Sequence, residues 1–279
     1  MLEKAYLEIT NICNLSCAFC HGTGREKRRM TEAEFETLTD RLTGEVKYLF
    51  FHLMGEPFLH PLLPQFVKRA REKGFLPAIT TNGTLLEERG EALLDTPPYK
   101  ISISLHAPAA NAAFAAAEYL PSCIAFGKKI AERGTIVAFR LWNIGGAGER
   151  ENAKVIEALR AAFPDPWEDK WSGYRLAHKV FLEWGEEFDW PDMGAPAIAA
   201  DAPLFCYALR NQVGIHADGT VVPCCLDADG VLALGNLHEM PLSEILSSPR
   251  ARAIYDGFTG HRAAEALCRR CGYARRFKV

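Results

Sequence analysis

The sequence predicts an α/β protein: a partial, TIM-like (β/α)6 barrel followed by a small C-terminal β-hairpin-plus-helix domain that carries cysteines. Three observations lead there. Short β-prone apolar runs alternate with helical stretches six times over residues 1–185, the pattern of repeated βαβ units on a parallel sheet with right-handed crossovers. Six units are too few for a closed eight-stranded barrel, which takes about 250 residues by itself. Of the nine cysteines, three crowd into residues 13–20 and five lie beyond residue 204, so the chain has two centres of cysteine chemistry.

The elements follow in order. The run Ala5 to Thr10 opens the sheet and leads directly into Cys13. Thr31 and Glu34 form a capping box, and Phe35, Leu38 and Leu42 give the helix behind it an apolar stripe. Tyr48 to Leu53 is nearly continuous apolar, as expected of a strand buried on both faces. Pro61 to Lys73 reads as a helix stopped by Gly74, and Phe75 to Thr80 as a strand closed by the Asn82-Gly83 turn. Glu87 to Leu94 is expected helical, Lys100 to Leu105 a strand, and Asn111 to Arg133 an alanine-rich helical region. Thr135 to Trp142, Glu149 to Phe163 and Val180 to Trp184 complete the alternation as strand, helix and strand.

Residues 186–203 are rich in Pro, Gly and Ala and read as a linker. In residues 204–279, Gln212 to His216 and Thr220 to Pro223 form a hairpin about Asp218-Gly219. A helix from Leu242 to Leu246 breaks at Pro249 and resumes from Arg250 to Phe258.

Hydrophobic residues make up 48% and charged residues 24%, with a formal net charge of -3. That balance gives no electrostatic case for nucleic acid or an anionic membrane as partner. No apolar run reaches the roughly 18 residues of a spanning helix. The first strand begins almost at Met1, which argues against a signal peptide. Many cysteines without a signal suggest metal sites in a reducing cytoplasm rather than disulfides.

Cys13, Cys17 and Cys20 are spaced C-x3-C-x2-C. Iron–sulfur clusters normally take four thiolates, so three imply an iron open to an exogenous ligand. Structural zinc sites instead use paired C-x2-C knuckles and four ligands. The spacing, with Phe19 ahead of the last cysteine, resembles the signature of the radical S-adenosylmethionine (radical SAM) enzymes.

Active sites on parallel α/β barrels gather at the carboxyl ends of the strands, and several unusual residues fall there. Gly55, Glu56 and Pro57 follow the second strand. They resemble the family segment that holds the amino group of S-adenosylmethionine, although Met54 stands where a second glycine is more usual. Thr80-Thr81-Asn82-Gly83 follows the third strand and also resembles the family pattern. Ser102, Ser104 and His106 share one face of the fourth strand by alternation; the family uses polar groups there near the cofactor's ribose. His106 is either a hydrogen-bonded core histidine or a proton acceptor. Arg140 is a charge inside an apolar strand and must be paired, with the cofactor's carboxylate, the substrate or a core carboxylate as partner.

In the second set, Cys206, Gly219 and Cys224 fit C-x12-G-x4-C, and Cys268-Arg269-Arg270-Cys271 follows. This resembles the auxiliary-cluster domain called SPASM, in its short twitch form. The resemblance implies an auxiliary [4Fe-4S] cluster on Cys206, Cys224, Cys268 and Cys271; a four-cysteine zinc site is the alternative. Cys225 is a structural thiol, an alternative ligand or a proton acceptor. Asp227 and Asp229 are further candidates for the proton, and Cys123 reads as a buried spare thiol.

The resemblance implies an oxidoreductase that reductively cleaves S-adenosylmethionine to a 5′-deoxyadenosyl radical and abstracts hydrogen from substrate. The auxiliary cluster would accept an electron, and a flavodoxin or ferredoxin would supply one. A peptide or protein side chain is the expected substrate. Alternatives are a small polar metabolite, tRNA (kept open by the basic tail Arg269 to Lys278), or a non-catalytic redox role. The basic run Arg25 to Arg29 is a candidate docking surface for the electron donor.

Overall fold

The alternation of apolar and polar residues along each strand sets the architecture. In the computed structural model, which describes residues 2–107, 110–111 and 118–277, six strands run parallel. They are β1 (Lys4–Leu7), β2 (Tyr48–Phe50), β3 (Leu76–Thr81), β4 (Lys100–Ser104), β5 (Ile136–Ile144) and β8 (Val180–Glu186). One face presents Ala5, Leu49, Ile79, Ile101, Ile103, Val137, Phe139 and Leu182, all buried. Helices α1 (Glu32–Leu42), α2 (Leu63–Glu72), α3 (Leu86–Arg89), α4 (Tyr119–Glu132) and α5 (Asn152–Ala162) follow β1 to β5 in turn. Phe35 of α1 stacks on Phe66 of α2 at 4.0 Å between ring centroids; each such buried side chain contributes about 1.5–3 kcal/mol. The opposite face carries Lys4, Tyr6, Ser102, Ser104, Arg140, Trp142 and Glu183 and lines a cavity.

The expected capping box is present: Thr31 Oγ1 accepts from Glu34 N, and the Glu34 carboxylate accepts from Thr31 N. Several elements are shorter than the sequence suggests, the first strand among them, which ends at Leu7. The β2 ladder ends at Phe50, and the helix expected over Glu87 to Leu94 is one α-turn followed by a 3-10 turn, Gly90–Leu93. Gly90 lies under Phe126, where a Cβ would come within 2.6 Å of the ring, so packing of α4 decides that turn. The alanine-rich stretch at residues 112–117, and Lys278 of the basic tail, lie outside the described residues.

Two features were not foreseen. Strands β6 (Glu168–Lys170) and β7 (Gly173–Ala177) form an antiparallel hairpin that extends the sheet beyond β8. At the other edge, β9 (Gln212–Ile215) pairs parallel with β1, and β10 (Thr220–Val222) and β11 (Gly235–Asn236) continue antiparallel. One eleven-stranded sheet therefore runs β11-β10-β9-β1-β2-β3-β4-β5-β8-β7-β6. The expected hairpin about Asp218-Gly219 is thus an extension of the barrel sheet. Helices α6 (Leu242–Ser247) and α7 (Pro249–Thr259) pack beside it, broken near Pro249 as read from the sequence.

Candidate active site

The cysteine loop leaves the carboxyl end of β1 and is tied to the ends of its neighbours. Gly55 has φ +79°, and a Cβ there would lie 2.4 Å from the Thr10 carbonyl oxygen, so only glycine lets the two loops touch. Glu56 N donates to Ile12 O at 2.8 Å. The Glu56 carboxylate is buried and accepts from Phe58 N, Thr81 Oγ1 and Asn82 N at 3.0, 2.8 and 2.7 Å. Burial pushes its pKa up to about 7 against those hydrogen bonds. An ionised carboxylate has about four acceptor sites, so one remains for a ligand ammonium group. Asn82 Nδ2 donates to Asn14 Oδ1 at 2.9 Å and reaches Cys13 Sγ at 3.9 Å. Cys17 Sγ lies 3.9 Å from Ala107 O, just past β4. Cys13 and Cys20 are exposed and Cys17 half-buried. Burial first, then the neighbouring Cys20 and Cys13, push Cys17 up to about 11.

Glu8, which the sequence reading passed over, is a further structural centre. Its fully buried carboxylate takes Arg25 in a two-pronged pair at 2.9 and 2.7 Å, and also accepts from Met54 N and Ala217 N. Arg25 Nε donates to Ala228 O at 2.7 Å. This staple joins β1, the cysteine loop and the C-terminal region. The signal was present: Glu8 is a charge between Leu7 and Ile9, as Arg140 is within β5. The basic run is partly engaged, and Lys27 and Arg29 remain exposed. Arg25 faces inward, Arg28 pairs with Glu34, and Arg29 donates to Leu59 O.

A cavity of about 630 Å³ lies between the polar barrel face and the C-terminal residues. Ser102, Ser104, His106 and Arg140 line it, as do Phe19, Cys225 and all of Cys206, Cys224, Cys268 and Cys271. Gly55, Glu56, Pro57 and Asn82 do not; they bracket Cys13 instead. Phe188 and Trp190, within the expected linker, close one side, and Trp190 Nε1 donates to Phe19 O at 3.0 Å. Burial pushes Cys206 up to about 11 and raises Cys224, Cys268 and Cys271, and neighbouring cysteines add to the rise at Cys206, Cys224 and Cys268. Cys225 points to Tyr6, and burial raises it to about 11.

His106 Nδ1 is 3.0 Å from Arg140 O and 3.4 Å from Trp142 N. The shorter contact is to a carbonyl that can only accept, which assigns the proton to Nδ1 and leaves Nε2 as the basic nitrogen. Burial lowers its pKa to about 4, so the ring is neutral at pH 7. Asp227 also lines the cavity, and its two oxygens accept from Val231 N and Leu232 N at 2.9 and 2.8 Å. Asp229 clamps Thr23 and Gly24. Both aspartates hold loops, as short acceptors beside free amides commonly do. Cys123 is buried against Gly83 O, away from either cysteine group.

Known proteins place this arrangement. The radical SAM superfamily model matches residues 7–165, and that of an iron–sulfur cluster-binding domain, SPASM, matches residues 206–272. The chain belongs to the radical SAM superfamily. It is a radical SAM enzyme whose cofactors are S-adenosylmethionine, the [4Fe-4S] cluster that binds it, and an auxiliary iron–sulfur cluster. Among curated relatives, a tungsten-containing aldehyde ferredoxin oxidoreductase cofactor-modifying protein of Pyrococcus furiosus is 37% identical over 91 residues, 31% of this chain and 26% of that protein. A probable GTP 3',8-cyclase of Metallosphaera sedula is 32% identical over 120 residues, 38% of this chain and 35% of that one. The chain thus matches only about a third or less of these relatives' length.

Solved structures agree in fold. BtrN in complex with AdoMet and 2-DOIA superposes with TM-score 0.63 at 18% identity, covering 97% of this chain and 93% of BtrN. SuiB of Streptococcus suis bound to S-adenosylmethionine gives 0.63 at 14%, covering 96% and 72%. Among the described residues, no helix is long and apolar enough to cross a membrane.

Proposed function

We propose that this enzyme oxidises its substrate inside the cavity between the barrel and the second cysteine set, with one electron leaving through the auxiliary cluster. The observation that carries the reading is that a single cavity is lined both by the strand ends of β4 and β5 and by Cys206, Cys224, Cys268 and Cys271. In this reading Cys13, Cys17 and Cys20 ligate the cofactor-binding cluster, and those four cysteines ligate an auxiliary [4Fe-4S] cluster. When bound, the cofactors supply a 5′-deoxyadenosyl radical.

The chain's own residues do the rest. Gly55 lets the loops meet, Glu56 offers its remaining acceptor site to the cofactor's amino group, and Asn82 holds Cys13 in place. Ser102 and Ser104 present hydroxyls to the ribose. The aromatic walls and Phe188 and Trp190 exclude water. Oxidation would take one hydrogen atom, one electron and one proton from the substrate. The cofactors, when bound, would take the hydrogen atom and the electron. The proton would go to His106 Nε2 or to the Asp227 carboxylate, because the Cys225 thiol, raised to about 11, already holds its own proton. The product is two hydrogen atoms lighter. Asp227 accepts one backbone amide on each oxygen, which leaves further acceptor sites, and burial raises its pKa.

The substrate is a peptide or protein side chain inserted among the aromatic residues. A small polar metabolite is the second reading, favoured by the covering of the cavity by Phe188 and Trp190. A flavodoxin or ferredoxin supplies the first electron. The test is anaerobic turnover of candidate peptides and small molecules with S-adenosylmethionine. One 5′-deoxyadenosine per product, with two hydrogen atoms lost from substrate, is expected. A product that keeps both hydrogens would contradict the oxidation.

A further inference from the structure

The barrel wall carries polar atoms with nothing to bind. Arg140 Nε, Trp142 Nε1 and His52 Nδ1 are shielded from solvent and lack hydrogen-bond partners, and all three side chains line the cavity. The Arg140 guanidinium lies flat on the Trp142 ring, 3.6 Å from its centroid. Gly185 makes room for that stack, since a Cβ there would come 2.7 Å from the indole. Glu183 faces Arg140 across the β5–β8 ladder and offsets part of its charge, but its ion pair is with Lys100 at 2.7 Å, not with Arg140.

A guanidinium and an indole N–H are donors only, and the guanidinium is always charged. Enclosed in protein without an acceptor, they cost stability that a bound anion would return. Arg140 is surrounded by Glu183, Tyr6, Tyr273 and Cys225, which sets it on the auxiliary-cysteine side of the cavity and away from Glu56.

We propose that this wall is an anion subsite in which Arg140 and the Trp142 indole N–H, with His52 beside them, take a carboxylate or phosphate group of the substrate. The inference rests on the reading of this cavity as the substrate site. A planar fork stacked on an aromatic face suits a carboxylate or phosphate better than a flexible ammonium would. Asn211 Oδ1, an unpartnered acceptor on the same cavity, takes a hydroxyl or N–H of the same molecule.

The test is equilibrium dialysis of the anaerobic holoenzyme with labelled phenylacetate, phenyl phosphate and neutral 2-phenylethanol. Stronger retention of one of the two anions identifies the carboxylate or the phosphate. One saturable site is expected for that anion, about tenfold tighter or more than for the alcohol, or 1.4 kcal/mol. Arg140→Gln should abolish the preference. Trp142→Phe, which keeps the ring and removes the N–H, should weaken the anion alone several-fold. Equal retention of anion and alcohol, or no saturable anion binding, would overturn the proposal. Displacement of the anion by S-adenosylmethionine would also overturn it, by giving Arg140 to the cofactor. Failure of the wild type to cleave S-adenosylmethionine is read separately and would count against the catalytic reading rather than against the subsite.

Discussion

The two cysteine groups are held by opposite means. Cys13, Cys17 and Cys20 share one loop, two of them are exposed, and short hydrogen bonds from Glu56 and Asn82 fix the loop to β2 and β3. Cys206, Cys224 and the Cys268–Cys271 pair come from three separate segments that line one cavity. They depend on β9 pairing with β1 and on the Glu8–Arg25 staple. A local polar scaffold leaves its iron accessible to a ligand; a buried assembly encloses its own. Damage to the first should change chemistry before stability, and damage to the second should do the reverse.

The largest effect expected is at the loop. Replacing Cys13, Cys17 and Cys20 together by alanine should leave a folded protein with about four irons instead of about eight, and no 5′-deoxyadenosine. Retained cleavage under anaerobic reduction would remove the assignment of these three ligands.

Next comes the staple. Arg25→Ala strands the Glu8 carboxylate, which is 0% exposed. Breaking such a pair from one side costs about 3–5 kcal/mol. Urea unfolding should show that loss, together with release of iron from the second set first. A change below about 1 kcal/mol, the range of an exposed pair, would mean the two regions are not joined here.

Gly55→Ala should cost about 1–3 kcal/mol for the positive φ, with the clash against Thr10 added. Its sharper readout is chemical: cofactor cleavage should fall more than thermal stability does. Equal, small losses in both would show that the contact between the loops is slack.

The smallest effect is expected at Arg29, which is exposed and donates only to Leu59 O. Arg29→Glu should change flavodoxin-driven turnover by less than about twofold, the scale of a rim charge outside an interface. A large, salt-sensitive slowing with flavodoxin but not with dithionite would restore the basic run as a docking surface.

Much of this was legible because it is local. The βα alternation, the Thr31–Glu34 box and the C-x3-C-x2-C loop each leave their mark within a few residues. What was missed is non-local or carries no pattern. Glu168–Lys170 is three exposed polar residues with no apolar alternation, so nothing in it reads as a strand. The pairing of β9 with β1 joins residues about two hundred positions apart and has no periodicity to detect. Glu8 and Arg25 read as an odd charge and as part of a basic surface run until they are seen to face each other. Asp227 was a candidate from its type and position alone, and the structure adds that it lines the cavity with one backbone amide on each oxygen.

The central claim is that the substrate's second electron leaves through the auxiliary cluster, and one variant tests it most directly. The double substitution Cys268→Ala, Cys271→Ala removes two of that cluster's four proposed ligands without touching the loop. Intact protein should hold about eight irons and the variant about four. The variant should still form 5′-deoxyadenosine and yield no oxidised substrate. A soluble variant with about four irons that makes normal product at the normal rate would contradict the account.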